Sequence, residues 1–138
     1  MIREYGPWRA EEILPLYESV AWTNYTQHPD MLERAFQNSL LILGAYEDGA
    51  LVGLLRAVGD GASVVLVQDL LVLPAWQRRG IGTALVHELR ARYPGVYQLQ
   101  LLTDDTERSC CFYQSLGFRK GSEMGCEAFL QIGSDYQS

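Results

Sequence analysis

The fold class follows first from seven residues near the middle of the chain, Gln77-Arg78-Arg79-Gly80-Ile81-Gly82-Thr83. An apolar run from Val64 to Leu73 precedes them, and a buried strand is predicted over Val64 to Val72. An amphipathic helical pattern from Ile81 to Arg92 follows them. The seven residues are therefore predicted to form a glycine-rich turn between a strand and the start of a helix.

This turn is predicted to bind phosphate. The first N–H groups of a helix have no partner within the helix, and the helix dipole places partial positive charge there. Gly80 and Gly82 allow the backbone to approach a ligand closely. Arg78 and Arg79 add charge-assisted hydrogen-bond donors. We therefore expect a ligand that carries a diphosphate.

Two common phosphate-binding patterns do not fit this turn. A P-loop requires G-x-x-x-x-G-K-[ST], and the spacing here differs from it. A full G-x-G-x-x-G fingerprint would need a third glycine at position 85, which is Leu85. The pattern that remains is Gln/Arg-x-x-Gly-x-Gly/Ala, placed in mid-chain after a region that reads as antiparallel strands.

Two segments resemble motifs of the GNAT superfamily of acyl-CoA-dependent N-acyltransferases. One is similar to the central motif of that family and reads Asp69-Leu70-Leu71-Val72-Leu73-Pro74-Ala75-Trp76-Gln77-Arg78-Arg79-Gly80-Ile81-Gly82. The other is similar to the family's F-Y-x-x-x-G-F segment and reads Phe112-Tyr113-Gln114-Ser115-Leu116-Gly117-Phe118. The two occur in the order that the family has. The resemblance covers residues 40 to 130 well and the first 40 residues weakly.

Hydrophobic periodicity and turn signals predict the remaining elements. A hairpin turn at Glu47-Asp48-Gly49 separates two strands, and Thr106 is expected to cap a late helix. Two final strands, Phe118 to Lys120 and Glu127 to Ile132, are expected to close the sheet. The predicted fold is α/β and GNAT-like, a mixed, mostly antiparallel central sheet flanked by helices. Its element order is β-α-α-β-β-β-α-β-α-β-β.

Composition narrows the class of protein. A chain of 138 residues is predicted to form one domain, residues 1–138. Its net charge of −6 argues against nucleic acid as a partner. No apolar run reaches transmembrane length and no signal peptide is evident, so no membrane partner is expected. Cys110, Cys111 and Cys126 lack metal-ligand spacing and indicate a reduced, cytoplasmic protein without a metal.

The resemblance implies acetyl-CoA as co-substrate, anchored through its diphosphate by the residues from Gln77 to Thr83. Its pantetheine arm would pair with the backbone of Leu70, Leu71 and Val72 as an added strand does. A bulge at that end of the central strand is implied, and it would free N–H groups toward the thioester carbonyl. Thr106 stands where many relatives carry an asparagine that helps to hold the cofactor.

Acid and base are assigned to two residues. Tyr113 occupies the family's tyrosine position, and a phenol with a pKa of about 10 can protonate the leaving thiolate. Asp69 is the predicted base, since a carboxylate between apolar neighbours can take the amine's proton, directly or through water. A core tyrosine and a structural aspartate are the alternative interpretations.

The acceptor is predicted to be a small primary amine. An acidic protein favours the approach of cations. Trp22 and Tyr25, between the first two helices, offer apolar area and π-faces, although buried loop anchors would look the same. Gln68 and Asp69 are expected on the central strand beside the acceptor. Asp104, after the next strand, either meets the acceptor or caps the helix that follows.

These observations predict an acetyl-CoA-dependent N-acetyltransferase. It would move an acetyl group to the primary amine of a small molecule by direct attack in a ternary complex. Two alternatives stay open, namely a protein or peptide N-acetyltransferase and a catalytically silent CoA-binding module. The identity of the acceptor, the acyl chain length and the choice between monomer and homodimer also stay open.

Overall fold

The computed structural model describes residues 1–137, and the chain forms two compact units. We call Met1–Leu102 the sheet unit, and residues from Thr103 onward the C-terminal unit. Each unit is described by itself. The expectation of a single domain over residues 1–138 stays a prediction.

The sheet unit contains one five-stranded sheet in which the strands follow chain order from edge to edge. The first four strands are antiparallel to their neighbours, and the fifth is parallel to the fourth. This mixed, mostly antiparallel sheet confirms the predicted fold class. The strands are β1 (Ile2–Glu4), β2 (Leu41–Glu47), β3 (Ala50–Gly59), β4 (Val64–Val72) and β5 (Gln98–Leu101).

Four α-helices belong to the sheet unit and one to the C-terminal unit. Two predictions match the observed bounds, those of β4 and of the helix that follows the glycine-rich turn. The loop expected between the first two helices contains a further short helix. The helices are α1 (Ala10–Ser19), α2 (Thr23–Thr26), α3 (Pro29–Gln37), α4 (Ile81–Arg92) and α5 (Glu107–Ser115).

Helical and strand periodicity place apolar side chains on both sides of the sheet. Ile13 and Leu16 of α1 and Leu32 of α3 pack in one buried cluster with Leu54 and Leu71 of the sheet. α4 packs against β1 to β4 and buries its own apolar stripe. Each fully buried side chain of this size contributes about 1.5–3 kcal/mol relative to exposure. The two layers hold β3 and β4 in the centre of the unit.

The turn between β2 and β3 follows the prediction. Asp48 has a φ of 51° and Gly49 a φ of 80°, so both central residues have positive φ. Two-residue hairpins of this kind match the twist of their strands. The Asp-Gly pair therefore fixes the hairpin that aligns β3 with its neighbours.

The two strands predicted to close the sheet, Phe118 to Lys120 and Glu127 to Ile132, are not formed. Phe118 completes the C-terminal cap of α5, and Lys120 precedes a 3₁₀ turn over Gly121–Met124. Residues 127–132 are exposed and have no strand assignment. A sequence with strand propensity still needs a neighbouring strand for its backbone groups, and propensity does not supply one. The observed order, over residues 1–137, is β-α-α-α-β-β-β-α-β-α.

Candidate active site

The glycine-rich turn leads directly into the first turn of α4. Gln77, Arg78, Arg79 and Gly80 are exposed and precede the helix, whose first three residues are Ile81, Gly82 and Thr83. Arg78 has a φ of 63° and Gly80 a φ of 82°. A positive φ is strained for arginine, and strain of this kind tends to occur at functional sites. Gly80 is the N-cap and has no side chain that could cap the first N–H groups of the helix.

Side chains of the same turn fix its position. The Gln77 amide donates a hydrogen bond of 3.0 Å to the carbonyl oxygen of Val72, the last residue of β4. The Arg79 guanidinium lies 4.7 Å from the centre of the Trp76 ring. A cation over an aromatic face is held by the ring's quadrupole. The turn therefore has a defined attachment to the end of β4.

β4 changes its pairing along its length. It pairs with β5 over Val64–Val67 and continues to Val72 beside β3 alone, as far as the described residues show. Against β3, Arg56 lies opposite Asp69 and Ala57 opposite Val67, so Gln68 is the extra residue of a β-bulge. The implied bulge thus lies upstream of Leu70, Leu71 and Val72. The segment from Gln68 to Val72 has one edge free of strand pairing, as an added extended ligand requires.

Asp69 lies inside the sheet unit at the centre of a hydrogen-bonded cluster. It is 2% exposed. Its Oδ2 accepts hydrogen bonds from the Tyr17 hydroxyl at 2.8 Å and from Arg56 Nε at 2.7 Å. Its Oδ1 accepts a hydrogen bond from the Tyr25 hydroxyl at 2.9 Å. Both carboxylate oxygens are therefore occupied, which satisfies a charge that would be costly to bury unpaired.

This arrangement bears on the predicted role of Asp69 as base. Both carboxylate oxygens accept hydrogen bonds and almost none of the residue is exposed, so proton transfer to Asp69 requires the cluster to open or a water to mediate. Tyr25, which is half-buried, lies on the partly exposed side of the cluster. The role of Asp69 as base, directly or through water, stays a prediction.

Sequence reasoning missed Arg56 and Tyr17 as members of this cluster. Arg56 carried a signal, since it is a charged residue within the apolar run of β3. A cation at such a position needs a buried anion, and Asp69 in the adjacent strand provides it. Tyr17 gave no signal beyond its place on the apolar stripe of α1. Its hydroxyl partner becomes apparent only in three dimensions.

The predicted acceptor residues lie at the outer end of the cluster. Tyr25 and Trp22 are half-buried, and Gln68 is exposed. The Tyr25 ring packs against Tyr17 with ring centroids 5.2 Å apart, and Trp22 packs against Tyr17 at 5.9 Å. Burial, and then the charge of Asp69, raise the pKa of Tyr25 above its ordinary value. The phenol therefore keeps its proton at neutral pH.

In the C-terminal unit, the F-Y-x-x-x-G-F segment is a helix stop. Gly117, at a φ of 94°, donates its N–H to the carbonyl of Gln114, and Phe118 donates to that of Tyr113. These two bonds define a Schellman motif, and the Phe118 and Tyr113 rings pack edge to face at 6.0 Å, as that motif favours. The spacing of the segment thus has a local structural cause that fixes Tyr113.

Tyr113 is half-buried, and burial, followed by the charge of Asp104, raises its pKa. A neutral phenol at physiological pH is the form that can give a proton away. Asp104 accepts hydrogen bonds from the backbone N–H and the hydroxyl of Thr106. The Thr106 hydroxyl oxygen in turn accepts from Ser109 N–H, as an N-cap does. Asp104 thus holds the N-cap residue Thr106, and its contact with the acceptor stays a prediction.

A family model described as an acetyltransferase (GNAT) domain matches residues 38–120. The chain belongs to the GNAT acetyltransferase family. The matched residues include the glycine-rich turn, α4, Asp69 and Tyr113, and they exclude Tyr17, Trp22 and Tyr25. The match thus covers the residues of the predicted cofactor site, whereas the predicted acceptor residues before position 38 lie outside it.

Solved structures agree with this membership. A GNAT-family acetyltransferase from Streptococcus pneumoniae TIGR4 is 42% identical, with a TM-score of 0.87 over 97% of this chain and 98% of that one. An aminoglycoside 6′-N-acetyltransferase from Acinetobacter haemolyticus is 19% identical, with a TM-score of 0.73 over 97% of each chain. An aminoglycoside N-acetyltransferase solved with CoA is 20% identical, with a TM-score of 0.69 over 97% of this chain and 98% of that one. The last two show the fold alone. No curated protein matches the GNAT chain significantly.

Two further observations concern residues 1–137 of this GNAT protein. Within them, no helix is long and apolar enough to cross a membrane. Within the same residues, no cluster of three or more histidine, cysteine or acidic side chains has the arrangement of a metal site. The three cysteines, Cys110, Cys111 and Cys126, are free thiols.

Proposed function

We propose that this GNAT protein transfers an acetyl group from acetyl-CoA to the primary amine of a small molecule. The observation that carries the proposal is the exposed turn before α4, with positive φ at Arg78 and Gly80 and an uncovered helix N-terminus. Such a terminus suits a diphosphate. A cytoplasmic location stays a prediction from the reduced cysteines.

The residues present fit acetyl-CoA. The N–H groups of the first turn of α4, with Arg78 and Arg79, would hold the diphosphate. The backbone from Leu70 to Val72 would hold the pantetheine arm, because that part of β4 pairs with β3 alone. Acetyl-CoA supplies the thioester carbonyl that the amine attacks. Thr106 stays a proposed contact, although its hydroxyl is engaged in capping α5.

The reaction is proposed as direct attack in a ternary complex. The neutral amine nitrogen forms a bond to the carbonyl carbon, the C–S bond breaks, and the amine proton passes to solvent. The departing thiolate takes a proton from Tyr113, and solvent then reprotonates the Tyr113 phenolate. The raised pKa of Tyr113 supports this role, because it keeps the phenol protonated where the reaction runs.

The acceptor side supports a small amine over the two alternatives. Trp22 and Tyr25 offer half-buried aromatic surface beside the exposed Gln68 amide, a setting for an apolar amine. Asp69 lies behind this surface, and Asp104 is proposed either to meet the acceptor or only to hold Thr106 at the start of α5. Two of the solved neighbours are aminoglycoside N-acetyltransferases, which supports a small-molecule acceptor. A protein or peptide acceptor and a silent CoA-binding module remain the competing functions.

The test is turnover of acetyl-CoA against two panels, small primary amines and peptides. Loss of the thioester absorbance should be followed, because exposed Cys111 and Cys126 would react with a thiol reagent. We expect turnover with at least one small amine at a higher kcat/KM than with any peptide. Faster peptide acetylation would favour the second function, and no turnover with retained CoA binding would favour the silent module.

The cofactor site has its own test. Gly82→Asp places a carboxylate in the first turn of α4, against the diphosphate. We expect at least tenfold weaker binding of CoA in calorimetry, as expected for loss of about 1.4 kcal/mol or more. Glu88→Gln, farther along the same helix, is the control and should bind CoA normally. Unchanged affinity in folded Gly82→Asp would remove the turn as the binding site.

A further inference from the structure

A buried ion pair joins β3 to β4 beneath the proposed acceptor surface. The side chains of Arg56 and Asp69 are 5% and 2% exposed, and Arg56 Nε lies 2.7 Å from Asp69 Oδ2. The two residues are cross-strand neighbours at the bulge formed by Gln68. A buried pair gives little net stability compared with apolar packing, but it fixes the geometry of the groups that it contacts.

Two tyrosine hydroxyls, one from each of two helices, donate the other hydrogen bonds to the Asp69 carboxylate. Tyr17 of α1 donates to Oδ2, and Tyr25 of α2 donates to Oδ1. The two phenols make the same kind of bond to the same carboxylate, but their exposure differs. Tyr17 is fully buried, whereas Tyr25 is half-buried and lies beside the exposed Gln68 amide. Of the two phenols, Tyr25 is therefore the one on the partly exposed side of the cluster.

The Tyr25 hydroxyl has one proton, and the bond to Asp69 uses it. Toward a ligand, its oxygen can therefore only accept a hydrogen bond. Its present donors are Arg56 Nη2 and Gln68 Nε2, both at 3.4 Å, which is at the long limit for a hydrogen bond. Gln68 is the exposed bulge residue, so its amide can turn away without breaking a strand pair. A ligand N–H would replace this long contact with a normal one.

We propose that the Tyr25 hydroxyl oxygen accepts a hydrogen bond from the acceptor amine, and that Arg56 and Asp69 are positioning residues that keep its proton turned inward. This inference rests on the proposed function and names the group that recognises its substrate. It selects an acceptor with an N–H donor. It also assigns Asp69 to orientation, so the amine loses its proton to solvent. The groups that face Asp69 or Tyr25 are Tyr17, Arg56 and Gln68, and Arg56 also contacts Ser39.

The two tyrosines provide a matched pair of variants. Tyr25→Phe removes the proposed ligand contact and one bond to Asp69, whereas Tyr17→Phe removes only a bond to Asp69. With the best primary amine of the panel, Tyr25→Phe should raise the KM for the amine about tenfold, the effect of one lost hydrogen bond. Its KM for acetyl-CoA should not change. Tyr17→Phe should lower the thermal unfolding midpoint and leave both KM values within about twofold.

Calorimetry repeats this comparison without turnover. The same amine, titrated into CoA-loaded protein, should bind Tyr25→Phe about tenfold more weakly and Tyr17→Phe as it binds the natural protein. A merely structural role for Tyr25 would shift the two variants alike. Equal effects of the two variants on amine binding, or no effect of Tyr25→Phe, would overturn the inference.

The pH dependence separates positioning from proton transfer. If Asp69 only orients Tyr25, Asp69→Asn should raise the KM for the amine and keep the shape of the kcat/KM profile. That profile should shift with the pKa of the amine when two amines of different basicity are compared. Loss of the acidic limb in Asp69→Asn alone would instead make Asp69 a base and overturn the positioning role. The tyrosine pair decides the inference even if Asp69→Asn does not fold.

The outcomes also distinguish this inference from the proposed function. If the natural protein acetylates a small amine but Tyr25→Phe has an unchanged KM, only the inference fails. If the natural protein acetylates no small amine, the proposed function fails and the inference fails with it.

Discussion

The two units of this GNAT protein differ in how they are stabilised. Every buried residue of the chain's described part lies in the sheet unit, and residues 103–137 contain none. The C-terminal unit instead exposes large apolar side chains, with Phe129 at 96% and Leu130 at 64% exposure. Its order comes from local hydrogen bonds at the two ends of α5. Burial therefore fixes one unit, and helix capping fixes the other.

This difference separates the parts of the proposed site. The sheet unit carries the glycine-rich turn and the Asp69 cluster, and both are attached to strands of its buried core. Tyr113 belongs to the C-terminal unit and depends on the Schellman motif at Gly117. Breaking the buried ion pair of the sheet unit should therefore affect mainly stability, and changing Tyr113 of the C-terminal unit should affect mainly activity. The chain offers probes for both, because Trp8, Trp22 and Trp76 all lie in the sheet unit and every cysteine lies in the C-terminal unit.

The largest effect is expected from breaking the buried ion pair. Arg56→Met leaves the Asp69 carboxylate buried without its cation and should lower the free energy of unfolding by about 3–5 kcal/mol. Urea denaturation followed by tryptophan fluorescence measures this in the sheet unit. Arg92→Met, which removes the exposed pair with Glu4, is the control and should cost about 0–1 kcal/mol. Similar losses for both variants would mean that burial does not make the Arg56–Asp69 pair more important for stability than the exposed pair.

The second largest effect is expected from a change in the C-terminal unit, and it should concern activity alone. Tyr113→Phe removes the proposed acid and should lower kcat by about 10²-fold. The tryptophan-monitored unfolding midpoint and CoA affinity should not change. Tyr97→Phe, at a tyrosine that is 80% exposed, serves as the control with normal kcat. A kcat of Tyr113→Phe close to that of the natural protein, with chemistry rate-limiting, would remove Tyr113 from the mechanism.

Alkaline pH should weaken the sheet unit through Tyr17. Burial, then the charge of Asp69, raise the pKa of Tyr17 well above its ordinary value of about 10. Below about pH 10, the phenol is protonated in both the folded and the unfolded chain. Above it, the unfolded chain loses the proton first, so the free energy of unfolding falls with pH until the folded pKa is reached.

The slope for one such group is about 1.4 kcal/mol per pH unit. Urea titrations at increasing pH measure this fall, and Tyr17→Phe should show a shallower one. An equal slope in Tyr17→Phe would mean that other groups control the alkaline loss.

The smallest effect is expected at the helix stop. Gly117→Ala places a side chain at a φ of 94° and should cost about 1 kcal/mol of local stability. The half-buried thiol of Cys110 should then label about fivefold faster, as mass spectrometry of its peptide can measure. Gly95→Ala is the control for a glycine without positive φ and should leave labelling unchanged. Unchanged labelling of Cys110 in Gly117→Ala would mean that capping does not hold α5.

Elements with a complete local signal were predicted with their bounds. β4 and α4 match because the apolar run ends at a proline and the glycine-rich turn starts the helix. Thr106 caps α5 as predicted, and Gly117 ends it, because both signals act within four residues. In the C-terminal unit, the predicted strand from Glu127 to Ile132 did not form. Its apolar residues gave a strand pattern, but no strand pairs with it among the described residues.

The sequence by itself determined the fold class, the strand–turn–helix that can hold a diphosphate, and the helix stop that carries Tyr113. These features depend on periodicity, glycine dihedrals and short-range hydrogen bonds, which are set by neighbours along the chain. Tertiary structure alone decided the environment of Asp69. Its partner Arg56, 13 residues away in sequence, reaches it through the pairing of β3 with β4, and Tyr17, 52 residues away, reaches it through the packing of α1 on the sheet. The sequence predicts Asp69 as a base, but in the structure its carboxylate is enclosed, because a buried charge needs all of its hydrogen-bond donors.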